Sequence, residues 1–153
     1  MSLWLTDVAV RQAGGAGPPD ERRIAEVLTP VLRMPSMTVH SVIDGRPPAL
    51  RTGSTANYRL QRALGLPRAA PVACWSPDRR SALATLELLL DTIPDGACAL
   101  LVAGGTDPPH PVAVGLVWRK PAHPGPPLDP AGRDDASGNG FLHLLTDHEG
   151  DRG

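Results

Sequence analysis

Apolar positions recur along this chain with two different periods, and the alternation between them predicts strands separated by helices. Leu3 to Val10 is mostly apolar and of strand length, interrupted only at Thr6-Asp7. The Gly- and Pro-rich run from Gly14 to Pro19 then breaks it. Asp20 is placed to cap a helix whose Ile24, Val27, Leu28 and Val31 form one apolar stripe, with Pro30 kinking or ending it. Ser36 to Ile43 contains Thr38, Val39, Val42 and Ile43 and reads as a β-branched strand that Asp44-Gly45 turns out of.

Beyond the Pro47-Pro48 loop, Ser54 is placed to cap a helix from Thr55 to Leu64 carrying Tyr58, Leu60 and Leu64. Gly65 terminates it and Pro67 confirms the stop. Ala70 to Trp75 is a short apolar run of strand length. Ser76-Pro77-Asp78 then supplies a cap, a first-turn proline and an acid for the helix dipole, starting a helix to about Thr92. Leu83, Leu86, Leu90 and Ile93 recur at helical spacing, and Pro94-Asp95-Gly96 closes the segment. Ala97 to Ala103 is apolar throughout, as in a strand covered on both faces, and Val112 to Trp118 follows as another. Strands alternating with helices predict an α/β layered sandwich with a mostly parallel central sheet and room for an antiparallel pair near its end. Arg119 to Gly140 is dominated by Pro, Gly, Asp and Ala without periodicity. The predicted organisation is therefore an α/β unit over 1–118, then a loop over 119–153 with a short last strand at Phe141–Thr146 and a polar tail.

Composition changes this picture in few places. With 153 residues, one hydrophobic core is expected and a large multi-site enzyme is excluded. Aromatic residues make up 3% of the chain, so that core must be built from Leu, Val, Ala and Ile. A formal net charge of -1 provides no basic field, and nucleic acid is not an expected partner. No apolar stretch approaches the ~20 residues that span a bilayer, and the first residues lack a basic segment followed by an apolar run. A cytoplasmic protein with no membrane partner is the expectation, and the two cysteines, with no Cys-x-x-Cys pair, are expected to be reduced.

Cys74 is the candidate catalytic residue, because it lies between an apolar strand and a well-marked helix start. A thiol at a helix mouth can have a depressed pKa and act as a nucleophile. The competing reading makes it a small hydrophobe in the strand Val72-Ala73-Cys74-Trp75, and Cys98 within Ala97-Cys98-Ala99-Leu100 reads as core. Of the histidines, His143 and His148 neighbour Asp147 and Glu149, but their spacing fits no metal signature; neither a metal nor a cofactor is expected. His40 reads as an exposed-face or satisfied core residue. Gly104-Gly105-Thr106-Asp107 lacks the Lys and Ser/Thr of a phosphate loop and reads as a tight turn. Arg22-Arg23 and Arg79-Arg80 read as solvated first-turn pairs, the second also able to hold a carboxylate or phosphate.

From about Gly53 to Asp107 one order of features stands out: Thr55-Ala56 and Leu60-Gln61 before Leu64-Gly65-Leu66, then Ala70-Pro71-Val72, Ser81-Ala82-Leu83-Ala84, Pro94-Asp95-Gly96 and Leu100-Leu101-Val102-Ala103-Gly104-Gly105. This order resembles the N-terminal half of a type III β-ketoacyl synthase of the thiolase-like superfamily. The resemblance implies a helix ending in Leu-Gly, a central strand, the helix after the reactive cysteine and a strand ending in small residues. With the outer landmarks in register, the family's nucleophile position falls near Asp78 or Arg79, and Cys74 lies several residues early. The family's histidine and asparagine, or paired histidines, belong to a C-terminal half outside this chain. The resemblance therefore implies a truncated, degenerate ketosynthase-like protein serving as a non-catalytic accessory subunit in polyketide or fatty-acid-type biosynthesis. Its expected partners are a second copy or a ketosynthase, with an acyl carrier protein as a further candidate. Two alternatives stand beside it: a cysteine-dependent acyltransferase using Cys74, and an unrelated α/β interaction protein.

Overall fold

The structure is a computed structural model that describes residues 3–15, 17–31, 39–51, 53, 55–75, 79–105 and 110–119. The segment 120–153 lies outside the described residues, and with it the loop, last strand and tail expected there.

Among the described residues, five strands and three α-helices follow one another in the order the apolar periods predict: β1 Trp4–Gln12, α1 Glu21–Leu28, β2 Val39–Asp44, α2 Ala56–Ala63, β3 Ala70–Ala73, α3 Arg79–Leu90, β4 Cys98–Gly104 and β5 Pro111–Trp118. The strands form one sheet in the order β1-β5-β4-β2-β3. β2 pairs in parallel with both β3 and β4, while β5 runs antiparallel to both β4 and β1. Four strands thus share one direction and β5 opposes them. The sheet is mixed rather than mostly parallel when its pairings are considered, because the β4–β5 connection is too short for a crossover helix.

The two faces of the sheet carry different side chains. Ala99, Leu101 and Ala103 of β4, with Ala113 and Val117 of β5, pack on Leu83, Leu86, Leu90 and Ile93 of the α3 segment. The intervening Leu100, Val102, Val112, Val114 and Leu116 face α1 and α2 through Ile24, Leu28, Leu60 and Leu64. This alternation is the period of two expected of a pleated strand, applied to strands buried on both faces. Alanine dominates where α3 presses on the sheet, and larger side chains fill the space beneath the two-helix layer.

Local chemistry sets the element ends. Asp20 accepts the Arg23 amide at 2.8 Å and caps α1, and Pro30 falls in the single 3-10 turn, Thr29–Val31, that ends it. The break at Thr6-Asp7 is a bulge: Asp7 has φ 55, the register against β5 slips between Thr6 and Ala9, and Trp118 donates its indole N–H to Thr6 at 2.8 Å. Gly65, with φ 76, ends α2.

Several expectations need correction. Thr55 holds the N-cap position of α2 and makes no side-chain cap hydrogen bond, while Ser54 lies outside the described residues. Tyr58 is exposed rather than core, because Leu60 and Leu64 already complete the buried stripe of a two-turn helix. The Ala70–Trp75 run is shorter as a strand and sits at the sheet edge, not at its centre. Its residues 70–73 are only half-buried or exposed.

Candidate functional site

In open α/β sheets, ligand chemistry collects beyond the carboxyl ends of the parallel strands. Here that edge brings together Asp44 at the end of β2, Cys74 just after β3 and Gly105 just after β4. The chain is stitched across it: the Cys74 amide donates to the Asp44 carbonyl at 3.0 Å, and the Gly45 amide to the Val102 carbonyl at 2.8 Å. Gly105 donates to the Pro111 carbonyl at 2.8 Å, continuing the β4–β5 ladder, and Thr106 and Asp107 of the turn expected there lie outside the described residues.

The dominant polar feature of this edge is a buried ionic cluster that sequence reasoning did not single out. Arg46 is 1% exposed and grips Asp44 with two hydrogen bonds, Nε to Oδ1 at 2.8 Å and Nη2 to Oδ2 at 2.7 Å. Its Nη1 donates to Glu21 Oε2 at 2.9 Å, and Glu21 Oε1 also accepts Arg59 Nε at 3.0 Å. Burial works against the Arg46 charge, but the Asp44 hydrogen bonds and charge, then those of Glu21, outweigh it and raise its pKa. Burial likewise opposes the Glu21 charge, yet its hydrogen bonds to Arg59 and Arg46 and the Arg46 charge bring its pKa below the ordinary value. The forked, charge-assisted geometry satisfies groups that could not otherwise be buried. It fixes the start of α1, the end of β2 and the outer side of α2 to one another, which is a structural task. The only sequence signal was the adjacency of Asp44 and Arg46 around Gly45.

Cys74 is buried and belongs to the α3-side core, following β3 rather than lying within it. Burial raises its pKa, and the nearby Arg51 charge opposes this only in part. The thiol form therefore prevails at neutral pH. Among the described residues no histidine or carboxylate side chain hydrogen-bonds it. The buried His110, with φ 57, precedes β5 at the same edge, but β4 and β2 intervene between β5 and β3. Three strand spacings amount to about 14 Å, too far for a thiol–imidazole pair.

Cys98 faces the α1–α2 layer, so the sheet separates the two cysteines and no disulfide joins them. His40 is exposed and bonds only its neighbour Ser41 through Nδ1 at 2.9 Å. Arg23 is half-exposed and reaches the Ala13 carbonyl at 3.1 Å, while Arg22 and Arg80 are exposed. Asp78, His123, His143 and His148, and the side chain of Arg79, lie outside the described residues. No group of three or more metal-ligating side chains occurs among the described residues. No helix among them is long and apolar enough to cross a membrane.

Among the described residues, one hollow lies at each end of the parallel strands β2 and β3. A groove of about 680 Å³ at the amino end of β2 and β3 is lined mainly by apolar and backbone atoms, with His40 and Arg68 as its charged or titratable members. A smaller cleft of about 210 Å³ lies at the carboxyl edge between Arg51, Gly53, Ala56, Asn57 and Ala73.

Fold and site together define a mixed α/β sandwich whose carboxyl edge carries a buried ionic clamp beside an unactivated cysteine. No protein-family model matches this chain, and a search of the curated proteins finds no match either.

Proposed function

We propose that this protein is a ketosynthase-like, non-catalytic accessory subunit, assembling with a second copy or with a ketosynthase that acts on acyl chains carried by an acyl carrier protein. The reading rests on the order of features from about Gly53 to Asp107 that resembles the N-terminal half of a type III β-ketoacyl synthase, in a chain that folds as a mixed α/β sheet with helices on both faces. Fold alone does not carry function, and the environment of Cys74 supplies the non-catalytic part. A nucleophile for acyl transfer needs a thiolate and a partner base, whereas burial holds this thiol neutral.

The test offers acyl thioesters to the wild type and to Cys74→Ser, reads intact mass, and follows iodoacetamide labelling before and after unfolding. The proposal expects no retained acyl mass, slow labelling of Cys74 in the native protein and fast labelling once unfolded. It also expects co-elution with a ketosynthase or a stable dimer by light scattering. Acylation of the wild type that vanishes in Cys74→Ser sinks the non-catalytic reading in favour of the acyltransferase. A monomer that ignores ketosynthases leaves the plain α/β interaction protein as the better description.

A further inference from the structure

Arg51 is the anomaly among the partly buried arginines of this protein. Arg46, Arg59 and Arg119 each reach carboxylates. The Arg51 side chain, although half-buried, makes no hydrogen bond or ion pair among the described residues, and its Nε is shielded from solvent without a partner. Withdrawing a guanidinium N–H from water without an acceptor is unfavourable, and an external anion in the cleft would supply that acceptor. The residue lines the 210 Å³ cleft, facing the amide-bearing Asn57 and the small residues Gly53, Ala56 and Ala73. Gly53 leaves that space open, with no atom within 4 Å of where a Cβ would stand. The first turn of α2, whose N-cap residue Thr55 makes no side-chain cap hydrogen bond, adds positive potential on the same side.

We propose that this cleft binds a short-chain monocarboxylate, its carboxylate on Arg51 and Asn57 and its alkyl portion against Ala56, Ala73 and Pro48. One positive charge balances a monoanion, and a guanidinium matches the two oxygens of a carboxylate. Phosphate is the poorer fit, because Arg59, the nearest arginine along α2, is already committed to Glu21. The volume, about seven water-sized units, suits an acid of butyrate size. The proposal does not depend on the ketosynthase-like reading.

The experiment titrates the full chain with butyrate, with neutral butyramide and with inorganic phosphate, following backbone amide shifts by NMR. The expected result is saturable butyrate binding with a Kd on the order of 1 mM, perturbing Gly53, Ala56 and Ala73, and no comparable response to butyramide. Arg51→Gln is expected to weaken it at least about tenfold. Asn57→Asp tests the same point without touching Arg51: it puts a negative charge in the cleft at a helix position that favours acids, so the fold is retained while butyrate binding is lost. Equal binding of butyramide, tighter binding of phosphate, no saturation, or full affinity in Asn57→Asp would each overturn the proposal.

Discussion

Replacing Arg46 with methionine tests the central structural claim, that the ionic cluster acts as an internal clamp rather than as surface charge. The substitution keeps most of the volume and removes the guanidinium that is 1% exposed, leaving Asp44 at 0% and Glu21 at 7% side-chain exposure. Two hydrogen bonds to Asp44 and one to Glu21 disappear, and the Asp44 carboxylate is left buried without its counter-ion. Breaking one partner out of a buried pair costs about 3–5 kcal/mol, a large part of the ~5–15 kcal/mol that holds a typical domain together. With a urea m-value of about 2 kcal/mol per molar, the unfolding midpoint should fall by roughly 1.5–2.5 M. The double variant Asp44→Asn/Arg46→Met removes the orphaned charge as well, and it should lose less than the sum of the two single variants. A loss below about 1 kcal/mol for Arg46→Met, the range of solvated pairs, or strict additivity in the double variant, would refute the clamp. Arg119→Ala provides the contrast, because its bonds to Asp91 and Asp95 lie at the surface and its midpoint should not move measurably.

Three further outcomes follow from the same geometry. Glu21 has a lowered pKa when folded, so the unfolded chain takes up its proton first as pH falls. The stability it contributes is full above the ordinary carboxylate range and is lost as pH drops through that range to its folded value. Urea titrations from about pH 6 to about pH 2 should show a shallower acid limb in Glu21→Gln. Leu86→Ala, at a fully buried position between α3 and the sheet, should cost about 2–5 kcal/mol by equilibrium unfolding, and a cost near zero would mean that the α3 layer is not packed as described. Gly65→Ala meets no atom within 4 Å, so its expected loss of roughly 1–2 kcal/mol comes from the φ of 76 alone. An unchanged thermal midpoint would show that the turn after α2 does not need that conformation.

What the sequence determined by itself is the succession of elements and many of their ends. Asp20 caps α1, Pro30 ends it, Gly65 stops α2, Thr6-Asp7 breaks β1, and the continuous apolar run of β4 announces burial on both faces. These outcomes depend on residues within one turn of helix or a few strand positions, where dihedral preference and side-chain capping act directly. The burial of Cys74 was open in the sequence, since strand core and helix mouth share the same local pattern; packing against the α3-side core decided it. Strand order, the reversal of β5 and the edge position of β3 depend on which apolar faces find one another across the whole chain. Arg46 shows the limit most clearly. An arginine after a Gly turn is read as solvated, and its burial becomes tolerable only because Glu21 arrives from a position 25 residues away, with Arg59 of α2 closing the cluster. Arg51 received no such partner, so the one half-buried guanidinium left without an acceptor among the described residues became visible only when the fold had assigned the others. The physical reason is that a charge's desolvation cost is set by every group that surrounds it, and those groups are brought together by tertiary packing rather than by neighbourhood in the chain.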